Sequence, residues 1–417
     1  MDNDNFVGRE FGVKTPRQKF NPWGSQVKNI MKRVVQFGAG NIGRGFLGQL
    51  FYESGYEIVF IDVVPELIDA LNRKGSYHLR IVGDNPRDLT IRNIRAINAR
   101  EREEVVREIV SSNLIATAVG ARNLPSVADL VAEGMMRRAE KGLIEPVNII
   151  ICENMPEASK VFFGYLREKV NSRYTDYLKS HLGLVETVIS RMVPVLPEEI
   201  RKKDPSFIMA EEYSLLPVDK KGFKGEIPKI KGMIPCENIV AYEEQKLFTH
   251  NTGHAICAYL GYQKSYRYIW EAIQDRKIRE VVEAALMETA QALVEKHNFE
   301  WEEQKNLIQD LLHRFNNKAL GDTVVRVGRD PIRKLGPRDR LVGAARLVES
   351  FGITPYNVCR GIAAAIFFDY PQDEEAVKLT QMRKQRGVDV VLRYICHINP
   401  EGKLGQIIKE HIWRGFI

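Results

Sequence analysis

The stretch EEQKLFTHNTGHAICAYLGY, Glu243 to Tyr262, sets Lys246, Asn251 and His254 within nine residues ahead of an apolar helical pattern. On an ideal helix Asn251 and His254, three apart, share a face, and Lys246 has the reach to point at the same place. Gly253 leaves room there for a ligand. Moving a hydride from a carbinol requires a base for the hydroxyl proton and donors for the oxygen as charge develops. A lysine becomes that base when burial and a neighbouring positive charge lower its pKa towards operating pH. A neutral amide such as Asn251 can hydrogen-bond the oxygen. Asn154, in CENM at the end of an apolar run, is a second such amide. Taken singly, each of these residues is more often structural, so the set needs support from elsewhere in the chain.

That support is the turn Gly38-Ala39-Gly40-Asn41-Ile42-Gly43, which follows the apolar run RVVQF and opens a helical pattern. In a dinucleotide fold the first glycine allows the tight turn, the second lets the backbone approach a pyrophosphate, and the third allows close helix–strand packing. The helix start then offers N–H groups to phosphate. Asp62, 19 residues after Gly43 at the end of the next apolar run, is placed to accept hydrogen bonds from a ribose diol and to repel a 2′-phosphate. No Arg or Lys follows before Arg73, so NAD is favoured over NADP; FAD shares the fingerprint but fits less well. The residues expected along the cofactor are Phe37, Gly38, Ala39, Gly40, Asn41, Ile42, Gly43, Asp62, and Ala118, Val119 and Gly120 of a second turn.

Elements able to position these groups are legible around them. RVVQF, EIVFID, LIATAVG, VNIIICEN and GLVETVISRMVP read as strands, alternating with helical patterns such as PELIDALNRK. The expected class is α/β: a doubly wound, mostly parallel Rossmann-type sheet, followed by a mainly helical C-terminal domain. FIMAEEYSLLPV, KGFKGEIP and IKGMIP read as strands and hairpin turns extending the same sheet. The expected organisation is an N-terminal extension over 1–30, mobile or surface-docked or preceding a true start at Met31, then a nucleotide-binding domain over 31–240 and a helical substrate domain over 241–417.

Bulk properties narrow the function. The 417 residues are 44% hydrophobic and 28% charged, with a net charge of +7, ordinary for a soluble globular enzyme with an anionic small ligand. No apolar run is long enough to span a membrane. The basic run MRKQRG, Met382 to Gly387, reads as a solvated helix face rather than a nucleic-acid contact. Cys152, Cys236, Cys257, Cys359 and Cys396 show no metal-ligand spacing, so no metal is expected, and their odd, scattered count suits reduced thiols in a cytoplasm. The YxxxK pair of short-chain dehydrogenases occurs twice, at Tyr242–Lys246 and Tyr165–Lys169, without the GxxxGxG turn of that class. The ligand clusters of zinc alcohol dehydrogenases are missing.

FGAGNIGRGF, TAVG, CEN, KLFTHNTGHA, RVGRDPIRKL, DRL and GIAAA together resemble the polyol-specific long-chain dehydrogenases, in particular their mannitol-1-phosphate 5-dehydrogenase members, over roughly Met31 to Phe368. The resemblance implies a metal-independent, NAD-dependent enzyme with Lys246 as acid/base, Asn154 and Asn251 stabilising the oxyanion, and His254 orienting the substrate. RVGRDPIRKL offers Arg326, Arg329, Arg333 and Lys334 as a cluster able to fork onto a phosphate, or as a basic surface turn; the RKL portion looks like the sugar-phosphate members. One departure is ISRMVP where the family usually reads VDRIVP, so that Ser190 stands in place of an acidic residue. The expected reaction is reversible oxidation of mannitol 1-phosphate to fructose 6-phosphate. The rivals are a hexuronate reductase of the same superfamily and a non-catalytic NAD-binding sensor. Neither a nucleic-acid nor a membrane partner is expected.

Overall fold

The structure, a computed structural model, describes residues 32–416. The expectation for residues 1–30 lies outside the described residues. The first strand patterns become β1 (Lys32–Phe37) and β2 (Tyr56–Asp62), followed by β3 (Ser76–Val82), β4 (Arg87–Arg92), β5 (Ile94–Asn98), β6 (Leu114–Thr117), β7 (Val147–Ile151) and β8 (Leu182–Glu186). Six of these form one wholly parallel sheet in the order β5-β2-β1-β6-β7-β8. Their near-continuous apolar runs follow from helices covering both faces. Because successive side chains alternate across a strand, Val34, Ile58, Phe60 and Ile150 enter one core, and Val35, Val59, Ile61, Ile149 and Ile151 enter the other. The winding reverses between β1 and β6, and this is where such sheets open a ligand crevice at their carboxyl ends.

The segment after β8 differs from expectation. β9 (Ile208–Glu211) pairs parallel with β3, which pairs antiparallel with β4, in a separate three-stranded sheet. β10 (Leu216–Asp219) and β11 (Met233–Cys236) pair parallel with each other. These strands therefore neither extend the main sheet nor form hairpins. KGFKGEIP is a 3-10 turn and loop that carries the chain back for a parallel pairing. Short strands of this kind take their partners from distant segments, which local periodicity does not encode.

From Ile239 onward every element is a helix, packed around a third core. Its centre is the helix Thr252–Gln263, buried along nine of its residues. Around it lie the helices Arg276–His297, capped by Asp275, whose side chain accepts from the N–H groups of Lys277 and Ile278, and Tyr356–Ile366. Gly253 serves this packing and not a ligand: a Cβ there would press on Leu286 of the helix Arg276–His297. The basic run at Met382 is the mostly exposed end of the helix Glu374–Arg386. No helix among the described residues is long and apolar enough to cross a membrane.

Candidate active site

The glycine turn leaves β1 at the winding reversal. Gly38 has φ +87°, and a Cβ on it would run into the Ala118 carbonyl at the end of β6; a Cβ on Gly43 would run into the Gly38 carbonyl. Both are demanded by close backbone approach. Gly40 is different: nothing lies within 4 Å of where its Cβ would be, so the turn is open on that side. The Gly38 N–H donates to the Ile61 carbonyl and the Ala118 N–H to the Phe37 carbonyl, both at 2.8 Å, stitching the turn to both neighbouring strands. Asp62 closes the same corner: one carboxylate oxygen accepts from the Ala39 N–H at 2.7 Å, the other from the Val63 and Val64 N–H groups at 2.7 and 3.1 Å. Asn41 is exposed and Ile42 half-buried at the helix start. This arrangement fits a dinucleotide: a Cβ at Gly40 would fill the open cradle, and a carboxylate stands at the end of β2 beside the turn.

Two further residues hold this crevice and were not singled out from sequence. Buried Glu153 accepts from the Val119 N–H at 2.9 Å and the Gly120 N–H at 2.8 Å, tying the turn after β6 to the turn after β7. Buried Arg44, in the first turn after the glycines, donates to the carbonyls of Ala39 and Ser206 at 2.5 Å and of Pro205 at 3.0 Å. The sequence signal for both was a charged residue inside an otherwise apolar or glycine-rich motif.

Opposite the crevice, the helix Ile239–Gln245 runs into a π-helical turn over Lys246–Asn251 and then into the helix Thr252–Gln263. Such turns are frequent at functional sites. On a regular α-helix Lys246 and Asn251 would diverge by about 140°; the wider turn, bonded over five residues, brings them towards one face. Lys246 Nζ donates to Asn154 Oδ1 at 3.2 Å, joining the helical half to the turn after β7. Burial and the Arg340 guanidinium pull the Lys246 pKa down to about 8, against Glu243, which raises it. Glu243 itself is pushed up to about 7, by burial and then by Glu186.

His254 stacks on Phe315, with centroids 4.9 Å apart and planes at 11°, and its Nε2 lies 3.4 Å from Asp322 Oδ2. Asp322 also pairs with Arg326. Burial would raise the Asp322 pKa, but His254 and Arg326 hold it below the usual carboxylate range. His250, buried beside His254 and Phe315, is kept neutral by burial and by Arg314. A cavity of about 200 Å³ adjoins Lys246, lined among others by Ser190, Tyr213, Thr249, His250, Gln304 and Arg314. Arg314 takes both Glu211 oxygens, at 2.6 and 2.9 Å, and donates to the Ser190 carbonyl at 2.6 Å.

The four cations of RVGRDPIRKL do not assemble into one fork. Arg326 is paired with Asp322, and Arg333 reaches Asp330 at 3.4 Å and Asp339 at 3.2 Å. Lys334 is buried, with Nζ donating to the carbonyls of Val327 and Arg329. Burial brings its pKa down to about 7. Arg326 and Arg329 also line a separate cavity of about 590 Å³ with Tyr370, Asp373 and Glu375. Among the described residues, no group of three or more His, Cys, Asp or Glu side chains is arranged to hold a metal ion.

Comparison with known proteins agrees with this architecture. The family model for the mannitol dehydrogenase Rossmann domain matches residues 32–232, and that for the mannitol dehydrogenase C-terminal domain matches 238–395. The chain is 40% identical over 379 residues to a mannitol-1-phosphate 5-dehydrogenase of Geobacillus stearothermophilus, covering 90% of this chain and 98% of that protein. It is 37% identical over 382 residues to one of Thermoanaerobacter pseudethanolicus, covering 91% and 97%. Among solved structures it shares the fold of Pseudomonas fluorescens mannitol 2-dehydrogenase (TM-score 0.71, 16% identity, 93% of each chain). It likewise shares that of a D-sorbitol dehydrogenase (TM-score 0.78, 16% identity, 91% and 92%). By both halves and over nearly its whole described length, the chain belongs to the mannitol dehydrogenase family.

Proposed function

We propose that the protein interconverts mannitol 1-phosphate and fructose 6-phosphate with NAD as the redox partner. The observation that carries this reading is the Lys246–Asn154 contact across the crevice, made by a lysine whose pKa is brought down to about 8. The curated relatives, matched over almost their full length, are named mannitol-1-phosphate 5-dehydrogenases. Residues 31–240 form the cofactor half and 241–417 the substrate half. Phe37 to Gly43, Asp62 and Ala118 to Gly120 would hold the dinucleotide, with the open turn at Gly40 suited to a pyrophosphate and the Asp62 carboxylate to a ribose diol. When bound, the nicotinamide supplies the acceptor for the carbinol hydride.

The remaining chemistry belongs to this chain. Neutral Lys246 takes the hydroxyl proton in the oxidation and returns it from the ammonium in the reduction. Asn154 and Asn251 donate to the substrate oxygen as charge develops. His254 orients the substrate, held by Phe315 beneath it and by Asp322, which Arg326 fixes in turn. Arg326 and Arg333, paired with carboxylates, and Lys334, bonded to carbonyls, have a supporting role around the site, while Arg329 is exposed. Five buried thiols fit a reducing cytoplasm as the place of action.

The test is NADH oxidation with fructose 6-phosphate, free fructose, tagaturonate and fructuronate. Preference for fructose 6-phosphate supports the reading. Preference for a hexuronate keeps Lys246 and moves the substrate assignment, with Ser190 the first residue to examine. Tight NADH binding without turnover on any of them returns the sensor reading.

A further inference from the structure

Arg326 and Arg333 are paired with carboxylates, Lys334 is bonded to carbonyls, and Arg329 lies exposed at a separate cavity, so the substrate phosphate needs another partner. Arg340 stands out by its tethering. Thr252 Oγ1 lies 2.6 Å from the Arg340 carbonyl, to which its one proton can be donated, with the Leu247 carbonyl also within reach at 3.1 Å. The backbone of Arg340 is therefore fastened to the very turn that carries Lys246 and Asn251. The loop holding it is tight: the Gly343 N–H donates to the Asp339 carbonyl at 2.8 Å, and a Cβ on Gly343 would lie 2.9 Å from the Arg338 carbonyl carbon.

The side chain is only partly neutralised. Asp339 Oδ1 accepts from the Arg340 backbone N–H at 2.6 Å and from its Nε at 2.8 Å, but Asp339 is shared with Arg333 through its other oxygen. The two terminal nitrogens of Arg340 make no hydrogen bond to any described residue, although the side chain is only 16% exposed. Asp339 meets Arg340 through Nε alone, so the charge at the terminal nitrogens of Arg340 faces no carboxylate of its own among the described residues, and Arg340 acts on the Lys246 amine electrostatically. A phosphate monoester brings a charge of about −1.5 to −2 and three acceptor oxygens, and a planar guanidinium with free terminal N–H groups matches it.

We propose that Arg340 binds the phosphate of the substrate, and so sets the preference for the phosphorylated polyol over the free one. The inference rests on the polyol-phosphate reading above and deepens it. Asp339 is its positioning residue, holding Nε and leaving the terminal nitrogens to the ligand.

The experiment uses the whole enzyme and two variants, Arg340→Gln and Arg340→Lys, with inorganic phosphate as competitor against fructose 6-phosphate at fixed NADH. In Arg340→Gln the KM for fructose 6-phosphate and the inhibition constant of phosphate should rise together, each by about tenfold or more, the scale of one lost charge-assisted contact. NADH affinity, read by fluorescence, should stay unchanged. Arg340→Lys, which keeps the charge and loses the fork, should fall between. Arg340 also acts on Lys246, so a role confined to that effect would carry the alkaline limit of ketose reduction to higher pH while leaving both phosphate-dependent constants where they were; that result overturns the proposal. So does wild-type enzyme that turns over fructose 6-phosphate but is not inhibited by phosphate, a comparison that needs no variant to fold. Absence of turnover on fructose 6-phosphate in the wild type would instead sink the substrate reading beneath it.

Discussion

Polyol oxidation should follow the loss of a proton from Lys246. The ordinary lysine value of 10.5 is brought to about 8 by burial and by Arg340. At pH 7 roughly one site in ten then holds the neutral amine, where an ordinary lysine would hold it in roughly one in three thousand. The structure thus supplies about a 300-fold gain in base-competent enzyme at that pH. The sign follows directly: kcat/KM for oxidation rises about tenfold per pH unit below the pKa and levels above it, and ketose reduction, which needs the ammonium, declines above the same point. Lys246→Ala should remove both limbs and cost about 10²–10⁴ in kcat, the usual share of a positioned acid/base group. The assay is initial rates in both directions across the range from about pH 6 to about pH 10, with NADH binding measured by fluorescence. Binding should survive the substitution. A wild-type limb near the ordinary lysine value, or an alanine variant within tenfold of wild type, would refute the reasoning.

The glycines should separate by what surrounds them. Gly38→Ala and Gly43→Ala drive a methyl into a backbone carbonyl and should lower the melting temperature, whereas Gly40→Ala should melt like wild type yet bind NADH more weakly. Asp62→Ala should weaken NADH binding and narrow the preference over NADPH, read by titration with each; an unchanged ratio would remove Asp62 from cofactor selection. Arg314→Met strands the Glu211 carboxylate, 3% exposed, and should cost about 3–5 kcal/mol in denaturant unfolding. Asp322→Asn should leave NADH binding intact while raising the KM for the ketose, since it acts through His254.

The parts of the site that could be read from sequence are those whose chemistry is local. The glycine turn, Asp62 and the Lys246–Asn251–His254 run each declare themselves within a few residues, and the near-continuous apolar runs in RVVQF and EIVFID encode a sheet covered on both faces. What stayed hidden depends on distant partners. No periodicity pairs β9 with β3 across the length of the nucleotide half, and nothing in CEN says that its glutamate holds the turn after β6. The RVGRDPIRKL cluster is the instructive case. Its cations looked available, yet Asp322 lies four residues before Arg326 and Asp330 three before Arg333, spacings at which side chains meet on a helix. That signal was present in GDTVVRVGRDPIRK and would have marked the pairs. Arg340 was hidden for the opposite reason, because a short DRL gives no hint that Thr252 fastens it beside Lys246.

The wide turn over Lys246–Asn251 makes the chemistry depend on a count as well as on identities. Winding the segment as an uninterrupted α-helix with every residue kept would leave Lys246, Asn251 and His254 all still present. Everything downstream would then be re-phased by about 100° relative to Lys246. A change that preserves each of these side chains but removes the wide turn would therefore yield a folded, cofactor-binding, inert protein, whereas deleting one residue along with the turn would set Lys246 and Asn251 four apart and keep them on one face. In this sense the register of the helix is itself an inherited component of the site.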